Sequence, residues 1–238
     1  MFFTRFKKLL FLLYNPKALI IFLKYRVVPS IEHRPVLSSK LDLVVDVGAN
    51  RGQFALAARL FSKARVVSFE PLFNTFAICN SVFAHDECVE VHQVAIGPQK
   101  GRVILHISNR DDSSSLLGIG ENQVDVFPGT EEIGVEEVQS APLDEFISFD
   151  GFCGRSLLKI DVQGYELEVL RSAHDLLPCF TYIYCECSFV ELYEGQPLCY
   201  EIIAYLSKMG FVLSGIYNVI YNAAGSAVQA DMYFLRNQ

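Results

Sequence analysis

Apolar and polar residues follow two different periods along the chain from about residue 41 onward. Short apolar runs rich in Val, Ile and Leu predict β-strands, and stretches with apolar residues three or four apart predict helices. The predicted strands are Asp42–Val47, Arg65–Glu70, Cys88–Ile96, Gly101–Ile107, Leu157–Val162, Thr181–Glu186, Phe211–Ile216 and Met232–Leu235. The predicted helices are Gln53–Ser62, Asn74–Phe83, Pro142–Ile147, Tyr165–Ala173 and Leu198–Met209. This alternation predicts an α/β fold, in which helices cover both faces of a mostly parallel sheet.

Two stretches interrupt or extend that pattern. Gly97–Lys100 is a predicted turn that returns strand Gly101–Ile107 beside strand Cys88–Ile96. Residues 109–137 are polar and rich in Gly, and a connection of this length inside a compact domain is usually functional. We therefore expect residues 109–137 to form a substrate loop, with Ser113, Ser114 and Ser115 contacting cofactor or substrate hydroxyls.

The first 40 residues form a separate region of basic and apolar character, ahead of a main domain that spans residues 41–238. Residues 1–34 carry seven basic side chains and one acidic one, whereas the remaining 204 residues carry 13 basic and 26 acidic ones. The apolar runs within residues 1–26 are too short to span a bilayer, and Asn15-Pro16 is expected to open a second helix. Two interpretations stay open: a pair of helices that cap the main domain, or an interfacial element that rests on anionic lipid.

Charge and cysteine content restrict the class of partner. Neutralising phosphates requires a basic surface, so the acidic main domain argues against a nucleic-acid partner. The seven cysteines show no framework spacing, which predicts reduced, buried thiols in a cytoplasmic protein that is either free or peripheral at the inner membrane face. Cys185 and Cys187 are expected to be two residues of one buried strand, because no second Cys/His pair stands at zinc spacing.

The first candidate site is the turn between the first predicted strand and helix. Asp46, Gly48, Asn50 and Gly52 lie in the sequence DVGANRG, where glycines let the backbone approach a ligand closely. The spacing is not the G-x-G-x-x-G of a pyrophosphate site, and Asp46 would repel a phosphate. An aminoacyl ligand with an ammonium and a sulfonium group fits this turn better.

Glu70 is the second candidate, because it closes the second predicted strand, eighteen residues after Gly52. A carboxylate at that place can accept hydrogen bonds from both hydroxyls of a ribose. Together with the glycine turn, Glu70 therefore predicts a nucleoside-containing cofactor.

The third candidate pair is Lys159 and Asp161 in the apolar strand LLKIDV. The two side chains share one face of the strand, and burying both charges is costly unless they pair or bind a ligand. Glu186 ends the next strand, so Asp161 and Glu186 are expected at the same edge of the sheet. They would bind substrate hydroxyls, supply a general base, or hold a divalent cation that the sequence does not require.

These motifs together resemble those of the FkbM family of class I S-adenosylmethionine methyltransferases. VVDVGANRGQF, VVSFEP, QVAIG, the Ser-rich stretch, APLDEF and LLKIDVQGYELEVL occur in the family's order over about residues 41–236. The resemblance implies a seven-stranded Rossmann-like sheet with one antiparallel strand, and O-methylation of sugars, glycolipids or other small hydroxylated molecules. It places Asp46, Gly48, Asn50 and Gly52 at the methionine part, Glu70 at the ribose, and Val94 and Ala95 beside the adenine, with Asn74 near the cofactor. Gln163 departs from the family's KIDVEG.

The expected reaction is attack of a substrate hydroxyl on the cofactor's methyl group, with Asp161 as proton acceptor and Lys159 orienting it. His92 and His106 are alternative proton acceptors, but both lie inside predicted strands, where structural histidines are more common. Two other functions remain: an NAD(P)-dependent oxidoreductase, which would prefer G-x-G-x-x-G, and a non-catalytic domain for membrane-associated assembly.

Overall fold

A computed structural model describes residues 2–37 and 40–237 of the chain. Its α-helices are α1 (Phe2–Tyr14), α2 (Pro16–Tyr25), α3 (Arg34–Leu37), α4 (Gln53–Phe61), α5 (Phe73–Phe83), α6 (Glu121–Val126), α7 (Glu166–Ser172) and α8 (Cys199–Lys208). Its strands are β1 (Leu43–Val47), β2 (Arg65–Phe69), β3 (Val89–His92), β4 (Ala95–Ile96), β5 (Gly101–Ser108), β6 (Glu132–Ala141), β7 (Ser156–Ile160), β8 (Tyr182–Ser188), β9 (Phe211–Tyr221) and β10 (Ala227–Arg236). Short 3₁₀ turns occupy Ile31–His33, Leu143–Glu145 and Leu177–Cys179.

The main sheet has seven strands in the order β3-β2-β1-β7-β8-β10-β9. Strands β1, β2, β3, β7 and β8 pair in parallel, and β10 runs antiparallel to both β8 and β9. The predicted fold, a seven-stranded, mostly parallel sheet of Rossmann type with one antiparallel strand, is confirmed.

The alternation of side chains along the central strands explains why both faces are covered. Val44 and Leu157 pack against α4 and α5 on one face, whereas Val45 and Leu158 pack against α7 and α8 on the other. All five residues of β1 are buried, as expected for a central parallel strand.

Three predictions around residues 88–141 are wrong in detail. The predicted strand Cys88–Ile96 is divided between β3 in the main sheet and β4 in a second sheet of order β4-β6-β5. Strand β5 pairs with β6 rather than with the 88–96 segment. The segment 109–137 contains α6 and the start of β6. Residues 132–137 of β6 are all exposed, so a search for buried apolar runs overlooks this strand. Pro142–Ile147 contributes only the 3₁₀ turn Leu143–Glu145.

The N-terminal helices pack on the main domain. Asn15 caps α2 as predicted, since its side chain accepts a hydrogen bond from the Ala18 backbone N–H. Leu12 and Ala18 are buried, and Phe11 meets Phe61 of α4 edge to face. No helix among the described residues is both long enough and apolar enough to cross a membrane. The predicted boundary at residue 40 follows residues 38–39, which lie outside the described residues.

The cysteines are more varied than predicted. All seven lie among the described residues and are free thiols, and Cys185 and Cys187 are buried in β8 as expected. Cys88, Cys153 and Cys179 are exposed, which corrects the prediction of uniformly buried thiols. These three lie in connections or at the end of a turn, where an apolar neighbourhood in sequence does not ensure burial.

Candidate active site

The turn after β1 lies at the carboxyl edge of the sheet and depends on its glycines. Gly48 and Gly52 have φ values of 80° and 86°, and Asn50 between them has a φ of 49°. A Cβ on Gly48 would collide with the backbone carbonyl oxygen of Asp161, so the turn and the end of β7 touch through bare backbone. Gly48 and Asn50 line an open cleft with a cavity volume of about 190 Å³.

Glu70 follows β2 and lies at the same cleft. Its Oε2 accepts a hydrogen bond from the Asn50 backbone N–H at 2.8 Å, and its Oε1 accepts from the Leu72 N–H at 3.0 Å and the Thr75 hydroxyl at 2.8 Å. Burial raises the pKa of Glu70, while these hydrogen bonds act in the opposite direction. The carboxylate is thereby fixed to the glycine turn and still faces the cleft.

Lys159 lies behind the turn and contacts it through its ammonium group. Its Nζ lies 3.0 Å from Asp46 Oδ1, donates to the Gly48 carbonyl oxygen at 2.7 Å, and lies 3.6 Å from Asp161 Oδ2. Burial alone would lower the pKa of Lys159, but the charges of Asp46 and Asp161 outweigh it and raise that pKa. Lys159 is therefore a fixed cation that ties β1, the turn and Asp161 together.

The structure separates the remaining cofactor candidates into two groups. Val94 and Ala95 are buried and line the cleft together with the apolar side chains of Ile96 and Leu105. Asp46 is fully buried beneath the turn, Gly52 caps α4, and Asn74 lines a neighbouring cleft. Among the residues that the structure describes, Asp46, Gly52 and Asn74 are not part of the lining of the main cleft.

The three serines differ in position. Ser114 lines the cleft, and its hydroxyl oxygen accepts a hydrogen bond from the Ser108 N–H at 3.1 Å. The Ser115 hydroxyl donates to the Gln163 carbonyl oxygen at 2.6 Å, and the Ser113 carbonyl oxygen accepts from the Tyr193 hydroxyl at 3.1 Å. Ser113 and Ser115 thus attach this segment to the body of the domain.

Asp161 and Glu186 lie at one edge of the sheet, as predicted, and Gln163 connects them. The Gln163 Nε2 donates to Asp161 Oδ1 at 2.8 Å and to Glu186 Oε2 at 2.9 Å. Burial, and then the charge of Asp161, raise the pKa of Glu186. The Gln163 N–H groups point at the oxygens that a cation would need, and no group of three or more His, Cys, Asp or Glu side chains suited to a metal occurs among the described residues.

The two histidines considered as alternatives have structural contacts. His92 in β3 lies 2.9 Å from Glu90 Oε1 and stacks on Phe69, and His106 in β5 lies 2.9 Å from Glu132 Oε2. A third histidine, His33, is not among the predicted site residues, yet it lines the cleft together with Ser30. No motif marks His33, and only the return of the N-terminal region onto α4 brings it there.

Comparison with known proteins defines the class and then the family. The chain superposes on TehB from Haemophilus influenzae with a TM-score of 0.50 at 9% identity, covering 93% of this chain and 67% of that one. Precorrin-6y C5,15-methyltransferase from Geobacter metallireducens GS-15 gives 0.48 at 13% identity, with 87% and 88% covered. The likeness to TehB agrees with the strand order described above and shows a Rossmann-like α/β fold.

The family follows from sequence. The model of the methyltransferase FkbM domain matches residues 46–213, so the chain belongs to the FkbM methyltransferase family. It is also 31% identical over 174 residues to the 2-O-methyltransferase NoeI of Sinorhizobium fredii (strain NBRC 101917 / NGR234), covering 69% of this chain and 72% of that protein. Membership of this family favours methyl transfer over the oxidoreductase and the non-catalytic assembly domain considered above.

Proposed function

We propose that this protein is an S-adenosylmethionine-dependent methyltransferase that methylates a hydroxyl oxygen of a sugar, glycolipid or other small hydroxylated molecule. The observation that carries the proposal is Glu70, a buried carboxylate hydrogen-bonded to the glycine turn and facing the same cleft as Asp161. The likeness to a 2-O-methyltransferase supports oxygen as the accepting atom.

The cleft suits each part of such a cofactor. Glu70 Oε2 accepts one hydrogen bond and retains a lone pair that can accept another from a ribose hydroxyl, and Val94, Ala95 and Leu105 offer an apolar surface for a purine. Gly48 and Asn50 bring bare backbone to the aminoacyl end. The cofactor supplies a methyl group on a positively charged sulfur.

The protein's own contribution is alignment and the exclusion of water. Lys159 fixes Asp161 at the cleft, and the Gln163 amide fixes its other oxygen. We propose that Asp161 accepts a hydrogen bond from the acceptor hydroxyl and so directs its oxygen at the methyl group. Holding two reactants in line removes much of the entropic part of the barrier.

Variants of Glu70 and Asp161 test this division of roles. Glu70→Ala should weaken S-adenosylmethionine binding at least tenfold in calorimetry, whereas Asp161→Ala should abolish methyl transfer and largely spare that binding. Transfer is measured with labelled cofactor and a panel of hydroxylated glycans, glycolipids and metabolites. Glu90→Ala, an exposed acid on β3 that pairs with Arg65, is the matched control. Unchanged cofactor affinity in Glu70→Ala would show that the ribose assignment is wrong.

We also propose that α1 and α2 rest on anionic lipid, which would bring a glycolipid acceptor to the site. Leu9 and Leu13 lie on one face of α1 and are 55% and 63% exposed, and Ile20 and Leu23 of α2 are 64% and 62% exposed. The basic charge of residues 1–34, next to an acidic body, favours the anionic cytoplasmic leaflet.

Vesicle sedimentation tests the lipid proposal. The protein should sediment with phosphatidylglycerol-containing vesicles at low salt and much less with pure phosphatidylcholine. Leu9→Glu with Leu13→Glu should abolish that binding, whereas Ile133→Glu, an equally exposed apolar residue on β6, should not. Concentration-dependent dimerisation that the Leu9/Leu13 variant abolishes, without vesicle binding, would assign this face to a second copy instead.

A further inference from the structure

The N-terminal region contributes a histidine to the candidate active site. After α2 the chain returns to α4, where the Ser30 N–H donates to the Gln53 carbonyl oxygen at 3.1 Å. The following 3₁₀ turn ends at His33, whose ring meets Phe54 edge to face at 5.2 Å and lines the same cleft as Glu70 and Asp161. Residue 33 lies before the family match at 46–213, so the family resemblance does not assign it a role.

A chain of hydrogen bonds fixes the hydrogen on this imidazole. The Tyr184 hydroxyl donates to Asp231 Oδ2 at 3.0 Å, and Asn218 Nδ2 donates to the same oxygen at 2.7 Å. Burial and the charge of Asp231 raise the pKa of Tyr184, which keeps its proton. Because that proton is directed at Asp231, the Tyr184 oxygen is an acceptor toward His33 Nδ1, which lies 2.9 Å away. Nδ1 therefore carries the hydrogen.

The opposite ring nitrogen is then free to take a proton. A neutral imidazole has one N–H, so Nε2 holds an open lone pair, and among the described residues it has no hydrogen-bond partner. Asp161 is differently placed, because Gln163 Nε2 donates to its Oδ1 and the Lys159 ammonium lies 3.6 Å from its Oδ2. An imidazole ordinarily titrates near neutral pH, which suits a general base better than a carboxylate does.

Burial keeps His33 neutral near pH 7, against the net effect of the charges around it. Burial lowers its pKa most strongly, and the charge of Lys159 on β7 lowers it further. Asp231 on β10, Glu32 beside it in the same turn, and Asp161 raise it, without reversing the net lowering. The neutral form is the one that a base requires.

We propose that His33 is the general base of the methyl transfer, with Nε2 as the accepting atom. The proposal rests on the proposed function, in which a hydroxyl is the acceptor. The hydroxyl oxygen forms a bond to the methyl carbon, the carbon–sulfur bond breaks with its electron pair going to sulfur, and the hydroxyl proton passes to Nε2. Tyr184 and Asp231 are positioning residues that set the tautomer, and Asp161 orients the acceptor.

Turnover of His33 variants at saturating cofactor tests the proposal. His33→Ala and the more conservative His33→Asn should lower kcat by about 10²–10⁴-fold, the usual contribution of a general base, with cofactor affinity in calorimetry unchanged. Added imidazole should restore part of the activity of His33→Ala. A kcat within threefold of wild type would overturn the proposal. A loss of turnover seen only at subsaturating cofactor would also overturn it and would make His33 a cofactor ligand instead.

The pH profile tests the positioning residues. Wild-type kcat should fall on the acid side with a slope of one as His33 becomes protonated. Asp231→Asn removes a charge that raises the pKa of His33, so this acid limb should move to lower pH. A limb that stays in place would show that the titrating group is not His33.

Nitrogen NMR on the wild-type protein tests the tautomer without any turnover. Labelled histidine should show His33, assigned by its loss in His33→Asn, as the Nδ1–H form at pH 7, and the Nε2–H form would overturn the proposal. Cofactor binding with no transfer to any acceptor would instead contradict the proposed function. The tautomer of His33 seen by NMR does not depend on that outcome.

Discussion

The glycine turn after β1 and the N-terminal region both contribute residues to the cleft, but their residues are distributed differently along the chain. The turn is a short contiguous motif, and its partners Glu70 and Lys159 lie at the ends of neighbouring strands. His33 comes from a region outside the family domain, and its partners Tyr184, Asn218 and Asp231 lie on three different strands, β8, β9 and β10. The half proposed to bind the cofactor is therefore built around one contiguous motif, whereas the half proposed for acceptor chemistry has no such motif.

This difference has a consequence for stability. The turn is partly buried and continues directly from β1 of the central sheet, so it must fold with the core. The N-terminal helices attach through a few side chains and leave much apolar surface exposed. Denaturant unfolding of variants in each region measures how strongly that region is coupled to the folded core.

The largest effect is expected for Gly48→Ala. The added Cβ would collide with the Asp161 backbone at a φ of 80°, so the free energy of unfolding should fall by more than about 4 kcal/mol. Gly225→Ala is the matched control, because its φ is 83° with nothing within 4 Å of the added atom, and it should lose only about 1–2 kcal/mol. Equal losses would show that the close approach to β7 is unimportant.

Lys159→Met should lower the free energy of unfolding by nearly as much. Asp46 is fully buried and has Lys159 as its ion-pair partner, so removing that partner should cost about 3–5 kcal/mol. Adding Asp46→Leu should recover part of the loss, since it removes the unpaired charge. A single-variant loss below about 1 kcal/mol would mean that Asp46 is already neutral.

Glu166→Gln should change how stability depends on pH. Burial raises the pKa of Glu166 to about 7, so its contribution is full below its unfolded value of 4.5 and is lost as pH rises through 7. Glutamine keeps an oxygen that can accept the hydrogen bonds from Val162 and Gly164. The variant should therefore gain on the order of 3 kcal/mol relative to wild type between pH 4.5 and 8. Glu168→Gln on the same helix should follow the wild-type curve.

Leu12→Ala tests the attachment of the N-terminal region. Leu12 is buried at 4% exposure, so truncating it should cost about 2–3 kcal/mol if α1 unfolds together with the core. The neighbouring Leu13→Ala, at 63% exposure, should change the free energy by less than about 0.5 kcal/mol. If both variants unfold like the wild type, α1 detaches from the main domain before the core unfolds. The N-terminal region would then be coupled to the core even more weakly than the glycine turn.

The strands of the central sheet were predictable because each is marked by residues that lie next to one another in the chain. Buried parallel strands need apolar residues regardless of their neighbours, and the positive φ of Gly48 needs glycine. Strand β6 was missed because its residues 132–137 are exposed, and nothing in their polarity distinguishes an exposed strand from a loop. The split of residues 88–96 between two sheets depends on pairing with β6, in which Ala95 pairs with Ser140 and Ile96 with Ala141.

The sequence by itself determined the strand–helix alternation, the glycine turn, and the acids at the strand ends, since each depends on residues close together in the chain. Only the tertiary structure decided which of them share the cleft. It fixed Lys159 as a buried cation, placed Asp46 behind the turn, and joined Asp161 to Glu186 through Gln163. It also brought His33 to Tyr184 across 151 positions, because sheet order and helix packing, rather than spacing along the chain, set those distances.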